Sequence, residues 1–313
     1  MSKFDKIIIG TEQLGGADWG KYNISHTESA IKYGLDIGVR SFDTAHVYGL
    51  GLSEKRLSKL MGGLRHECEI ITKIGLTWDD KSSSNRATVN KDLSYKSMLS
   101  DVQGSLKNLD IDQIPVLLAH WPDNHHSTEE VVENLYRLKE EGLINKIGLS
   151  NFNIEEILNI QNSIPIDFYQ GSLSLLDFSK LELYKNMSEQ GIDIMTYGPL
   201  HHGMLTGKYD VKSTFPKSDR RHRLSDFTGE KGRENYTKVD IVSRYAKMLE
   251  CDIKAISIKM LYTLGVKTRI VIGVKNESQI RENLNSLDLY IPNSVASSLL
   301  TELSKFNCNP PKN

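Results

Sequence analysis

Short apolar runs rich in isoleucine, valine and leucine alternate with amphipathic helical stretches along almost the whole chain, and no other feature limits the fold as much. The first unit is Lys6–Thr11 (KIIIGT), followed by a helical pattern from Thr27 to Gly38. The unit recurs as strand 39–45 with helix Ser53–Met61, strand Glu69–Ile74 with helix Asp92–Leu109, and strand Ile114–Ala119 with helix Thr128–Glu141. Strand Lys146–Ser150 then precedes helix Ile154–Ile160, and strand Asp167–Leu173 precedes helix Lys180–Gln190. Strand Asp193–Tyr197 leads into a long loop, about 201–235, and two helices, Tyr236–Leu249 and Lys254–Leu264. Strand Arg269–Val274 with helix Ser278–Ser286 closes the series, and Ser294–Phe306 reads as an outer C-terminal helix.

Strands that alternate with helices predict a parallel sheet, and eight such units in 313 residues predict a closed (β/α)8 TIM barrel, a single α/β domain over residues 1–313. An open doubly wound sheet is the alternative. A barrel collects polar residues at the C-terminal ends of many strands, whereas an open sheet concentrates them at one crevice. Asp43, Lys73, His120, Asn151, Gln170, Tyr197 and Lys275 fall at or just after most strand ends, which favours the barrel.

Composition narrows the function. Lys plus Arg total 39 against 40 Asp plus Glu, a net charge of -1, so neither nucleic acid nor an acidic membrane surface is attracted in bulk. No apolar stretch reaches the about 18 residues of a membrane span, and the isoleucine run near the N-terminus is too short for a signal segment. The three cysteines, Cys68, Cys251 and Cys308, are far apart and suit free thiols in a reducing cytoplasm. No metal is expected: the His125-His126 and His201-His202 pairs are chain neighbours that point apart, with no cysteine or carboxylate to complete a set. Gly49-Leu-Gly51 begins like a dinucleotide fingerprint, but Glu54 stands where its third glycine belongs and would repel a pyrophosphate.

The residues at the strand ends point to proton transfer. Asp43 and Tyr48 place a carboxylate and a phenol five positions apart, and a phenol donates protons poorly at neutral pH unless a cation stabilises the phenolate. Lys73, after the strand EIIT, is the candidate: Asp43 would keep it charged, and its field would lower the phenol's pKa. His120, ending the run PVLLA, would be a second donor to a developing oxyanion.

Taken together these stretches resemble the aldo-keto reductase family. The matching segments are FDTAHVYGLGLSEKRL around Asp43 and Tyr48, ITKIG around Lys73, LLAHWPD around His120, IGLSNF around Asn151, YQ at Tyr169–Gln170, YGPLHHGMLTGKY from Tyr197 and GVKNESQIRENL from Gly273. They occur in the family's order from near residue 6 to residue 287. The resemblance implies a barrel that reversibly reduces an aldehyde or ketone, sugars included, with NADP(H). It implies Tyr48 as general acid, Lys73 as the charge that tunes it, Asp43 as the lysine's partner and His120 as the donor that polarises the carbonyl. Tyr197 would stack on the nicotinamide, with Asn151 and Gln170 on its carboxamide. Gly198, Pro199, Leu200 and Lys208 would face the pyrophosphate, and Gly273, Lys275, Gln279, Glu282 and Asn283 the adenosine end. Lys275 argues for NADP over NAD, and the cluster Lys217, Arg220, Arg221, Arg223 reads either as a clamp on the 2′-phosphate or as a solvated loop. Trp19, Trp78 and Trp121, in strand-end loops, would wall the substrate pocket.

Two departures from the family stand out. Gly198 stands where the family often has a serine, and the short stretch before the first strand leads us to expect an N-terminal hairpin that is shortened or absent. Two other functions remain open: a cofactor-binding redox sensor with little turnover, and an isomerase or aldolase using Lys73 as a Schiff base.

Overall fold

The computed structural model describes residues 2–16, 22–78 and 89–306. Its eight barrel strands are β1 (Ile7–Gly10), β2 (Ser41–Asp43), β3 (Glu69–Ile74), β4 (Ile114–Ala119), β5 (Ile144–Ser150), β6 (Phe168–Ser172), β7 (Asp193–Tyr197) and β8 (Thr268–Gly273). All are parallel, and β1 pairs with β2 on one side and β8 on the other, Gly10 lying opposite both Asp43 and Gly273. The sheet therefore closes on itself and leaves no unpaired edge.

Because successive side chains of a strand point to opposite faces, six of the eight strands serve two cores. Ile8, Ile71, Val116, Leu118, Phe168, Met195 and Val271 fill the lumen. Their neighbours Ile7, Ile9, Ile70, Leu117, Tyr169, Ile194, Ile270 and Ile272 pack outward against the helices. Two residues further along each strand the same inward parity meets the C-terminal rim: Lys73 after Ile71, His120 after Leu118, Gln170 after Phe168, Tyr197 after Met195 and Gly273 after Val271. The rim is polar because the apolar lumen ends one step below it. At the other end, Arg269 pairs with Glu69, and the Arg269 and Lys146 cations lie 5.5 Å and 5.4 Å from the Phe168 ring centroid.

The structure differs from expectation in four places. Strand β2 spans only Ser41–Asp43; Thr44 N–H still bonds the Ile71 carbonyl, and the backbone turns from His46 onward. An antiparallel hairpin, Leu76–Trp78 with Val89–Lys91, rises after β3 where none was expected. The helix expected from Tyr236 starts at Gly229 and runs to Met248. Its first turns, GEKGREN, have no apolar periodicity, and Gly232 lies so close to the Phe227 backbone that a Cβ there would sit 2.6 Å from it. The loop after β7 is thus 201–228 and carries three short 3-10 segments. Finally, one helical turn, Lys3–Lys6, precedes β1. The outer helix Asn293–Ser304 packs on Gly229–Met248 and is tied to it by Arg244–Glu302 at 2.6 Å. Cys68 and Cys251 are free thiols; Cys308 lies outside the described residues. No helix among the described residues is long and apolar enough to cross a membrane.

Phe168 is the largest lumen side chain, so Phe168→Ala should cost about 3–5 kcal/mol through lost burial and an unfilled void. Urea unfolding followed by circular dichroism reads this directly; a loss under about 1 kcal/mol would mean that the lumen collapses around the gap.

Candidate active site

The turn after β2 builds the centre of the rim. Glycines let it pass very near the loop after β1: Gly49 is left-handed at φ +59°, and a Cβ on it would lie 2.3 Å from the Gly15 carbonyl oxygen. Ser53 closes the turn by donating its backbone N–H to Tyr48, and its hydroxyl bonds Thr11 across the crossing. Tyr48 is thereby held half-buried beside the ends of β2 and β3.

Asp43, Lys73, Tyr48 and His120 converge. Lys73 Nζ donates to Asp43 Oδ1 at 2.7 Å and to the Thr44 carbonyl at 2.9 Å. The same ammonium lies 5.3 Å from the centroid of the Tyr48 ring, whose edge meets His120 with centroids 5.9 Å apart. Lys73 is 2% exposed and Asp43 3%, so this is a buried ion pair at the floor of a cavity. Strand β3 is held from its outer face too. Thr72, of opposite parity to Lys73, donates to the buried carboxylate of Glu54 at 2.7 Å, which also receives Asn108 and His46. Glu54 therefore stands away from any pyrophosphate.

One electrostatic expectation is corrected. The Tyr48 phenol is pushed well above its ordinary value, first by burial and then by the Asp43 charge. The Lys73 ammonium, already matched by Asp43 at contact distance, is outweighed by these two effects. His120 is driven well below its ordinary value, by burial first and by Lys73 second, and so stays neutral. Among the described residues its Nδ1 is buried without a hydrogen-bond partner, which leaves Nε2 as the nitrogen able to serve the cavity.

A cavity of about 1120 Å³ extends from Tyr48 and His120 across the rim. Every residue expected to contact cofactor borders it: Asn151, Gln170, Tyr197, Gly198, Pro199, Leu200, Lys208, Gly273, Lys275, Gln279, Glu282 and Asn283. Asn151 reaches inward through a left-handed backbone, φ +66°, and accepts the Tyr197 hydroxyl at 2.7 Å, fixing that ring at the rim. Gly198 is also left-handed, φ +72°, with open space where a Cβ would go, so backbone conformation accounts for the missing serine. Gln279 and Asn276 cap the segment after β8, accepting from Lys275 N and Gln279 N. Glu282 is neutralised by Lys254 at 2.5 Å.

The basic loop divides. Arg220, Arg221 and Arg223 border the cavity while Lys217 does not. Arg221 is bidentate to Asp219, with Nε to Oδ1 at 2.9 Å and Nη2 to Oδ2 at 2.5 Å, and Arg220 crosses the mouth to Glu12 at 2.8 Å. Lys275 is lowered first by burial and then by the nearby Arg221 and Lys208, with Asp219 opposing them.

The tryptophans separate. Trp121 borders the cavity, 40% exposed, beside Val89, Leu50, Val47 and Leu76. Trp78 does not: on the hairpin its ring packs on His46, centroids 4.8 Å apart, because His46 leaves an apolar edge between helix and strand for it to cover. Trp19 lies outside the described residues. Three contributors escape a reading of the sequence. Glu12 and Gln13 follow β1 with no motif to mark them, and His201 bridges Ser174 at 3.1 Å and Asp226 at 3.3 Å at the cavity wall. The adjacent His202 is lowered to about 4 by burial, His201 and Arg220. The histidine pair signals a cavity wall that only strand-end position could have flagged.

Comparison with known proteins bears on this arrangement. A sequence model described as the Aldo/keto reductase family matches residues 6–300. The aldo-keto reductase YhdN of Bacillus subtilis (strain 168) is 30% identical over 248 residues, 77% of this chain and 72% of the relative. The NADH-specific methylglyoxal reductase of Escherichia coli (strain K12) is 28% identical over 312 residues, 95% of this chain and 94% of the relative. A glycerol dehydrogenase structure from Gluconobacter oxydans superposes with a TM-score of 0.85 at 24% identity, covering 98% of this chain and 94% of the other. A holo aldo-keto reductase from Bacillus halodurans does so at 0.76 and 18% identity, covering 95% and 91%. The last two likenesses speak for the barrel alone. A family match across nearly the whole chain, on a closed eight-stranded barrel, means that this chain belongs to the aldo/keto reductase family, oxidoreductases that reduce carbonyls with a nicotinamide cofactor.

Proposed function

We propose that the protein reduces an aldehyde or ketone to the alcohol with NADPH, with Tyr48 as general acid. The observation that carries the reading is the convergence of a phenol, a neutral imidazole and a buried Asp43–Lys73 pair at a cavity that Lys208, Arg220, Arg221 and Lys275 also border. The bound nicotinamide supplies the hydride. Tyr48 gives its proton to the carbonyl oxygen, and a phenol of raised pKa is suited to this in one direction: it keeps its proton until the oxygen becomes alkoxide-like, a far stronger base than phenolate. His120, neutral, donates a hydrogen bond from Nε2 to the same oxygen. Lys73 cancels the Asp43 charge that would otherwise hold the phenol's proton more tightly still.

Lys73 is a poor Schiff-base candidate. Both of its hydrogen bonds run to protein, and it is buried and does not border the cavity. Trp121, Val89 and Leu50 make the substrate side apolar and favour a carbonyl with an apolar face.

The choice of NADPH rests on Lys275, Arg221 and Lys208. Asp219 sets one carboxylate against these three cations, so an added anion is favoured, and a 2′-phosphate is the group that distinguishes the two dinucleotides. The Escherichia coli relative is named NADH-specific, so the test must be direct. Lys275→Met should weaken NADPH binding about 10- to 100-fold and NADH binding by less than about threefold, read by fluorescence titration. Equal losses for both would remove Lys275 from 2′-phosphate recognition.

Tyr48→Phe should lower turnover about 10²- to 10⁴-fold while cofactor affinity stays within a few-fold. Near-wild-type turnover in that variant would take Tyr48 out of the mechanism. If the wild type bound NADPH yet oxidised none with a broad panel of aldehydes, ketones and sugars, the sensor function would replace catalysis. The pH dependence follows from the two shifts. With Tyr48 raised and His120 lowered, turnover in reduction should be flat from about pH 6 to about pH 9, because neither group titrates there. An inflection near about 6.5 would show that His120 ionises in the working enzyme.

A further inference from the structure

The side-chain amide of Gln170 is oriented by its neighbours, not by the cavity. Its Nε2 donates to Asp43 Oδ2 at 2.7 Å, while the other oxygen of that carboxylate accepts from Lys73 at 2.7 Å. An ammonium only donates and an ionised carboxylate only accepts, so the order Lys73, Asp43, Gln170 has one solution: Gln170 must turn its nitrogen to Asp43. Its Oε1 is then the end left for the cavity it borders, and no hydrogen bond among the described residues uses that atom. Asn151, the other amide at this end, is engaged at both ends. Its nitrogen donates to the His120 carbonyl and Ser150 Oγ, and its oxygen accepts from Tyr197.

We propose that Asp43 is a positioning residue for the cofactor as well as the partner of Lys73. By holding the Gln170 nitrogen it presents Oε1 to the cavity as an acceptor, and so selects a ligand group that donates an N–H, the NH2 of a nicotinamide carboxamide. This rests on the cavity being the nicotinamide site.

The polarity can be reversed with one substitution. In Asp43→Asn the ammonium of Lys73 claims the oxygen of the introduced amide, whose NH2 is thereby turned toward Gln170. Gln170 must then offer Oε1 to that NH2 and face the cavity with a donor. A carboxamide NH2 would meet N–H against N–H there. Only a carbonyl oxygen would still be addressed, and the 3-acetylpyridine analogue of the dinucleotide has that oxygen but a methyl in place of the NH2.

The experiment is a fluorescence titration of wild type, Asp43→Asn, Gln170→Leu and the double variant with the oxidised dinucleotide and with its 3-acetylpyridine analogue. Wild type should bind the natural cofactor about tenfold more tightly than the analogue, and each variant should bring that ratio close to one. In the Gln170→Leu background, Asp43→Asn should leave the ratio unchanged, because Asp43 acts through Gln170. Parallel loss of both ligands in Asp43→Asn, with the wild-type ratio kept, would show a structural role only and overturn the proposal. If Asp43→Asn does not fold, Gln170→Leu decides alone, since a wild-type ratio there also overturns it. Wild type binding neither ligand would instead overturn the nicotinamide reading, and this inference with it.

Discussion

The buried contact between Asp43 and Lys73 is the interaction on which the rest of the rim depends. Taking two charges out of water is costly, and such a pair persists only where the remaining lone pairs and protons are satisfied. Here they are: Lys73 also reaches the Thr44 carbonyl, and Asp43 also receives Gln170. The pair therefore ties together the ends of β2, β3 and β6, strands brought side by side or across the lumen by closure of the sheet. Removing either member would leave an uncompensated charge under the Tyr48 ring, which makes this point rigid in chemistry as well as in position.

Around that point the barrel works by parity. On six of the eight strands the inward position below the rim is apolar and the next inward position is polar or glycine, so side chains scattered over more than a hundred residues reach one cavity floor. Strand β3 shows how tightly this is enforced, since Lys73 faces inward to Asp43 while Thr72 faces outward to Glu54. A one-residue slip of register would exchange them, burying the lysine among helices and emptying the site of its cation. The loop after β7 adds what strands cannot. Through Arg220 to Glu12 and His201 to Ser174 it is fastened over the cavity and brings cations to its wall.

Much of this is legible in the chain alone. The strand and helix alternation, the short motifs around Asp43, Tyr48, Lys73 and His120, and the segments YGPL and GVKN are each readable because strand periodicity and strand-end chemistry are local. The failures are of another kind. The sequence points to Lys73 alone for the phenol's acidity, when burial and Asp43 outweigh it. Trp78 belongs to the pocket by its place after β3, yet it turns on a hairpin to cover His46. The start of Gly229–Met248 is hidden by two glycines and a run of charges, whose helix is stabilised by packing rather than by its own pattern.

What the amino-acid sequence by itself determined is the barrel, the order of its units and which functional groups stand at the strand ends, because these follow from periodicities of two and 3.6 and from position along each unit. What only the tertiary structure decided is how those groups act on one another: which partner cancels the charge of Lys73, which way the amide of Gln170 faces, and which arginines of the long loop reach the cavity. Charge and hydrogen-bond polarity depend on distance and burial, and for residues a hundred positions apart those are set only when the sheet closes.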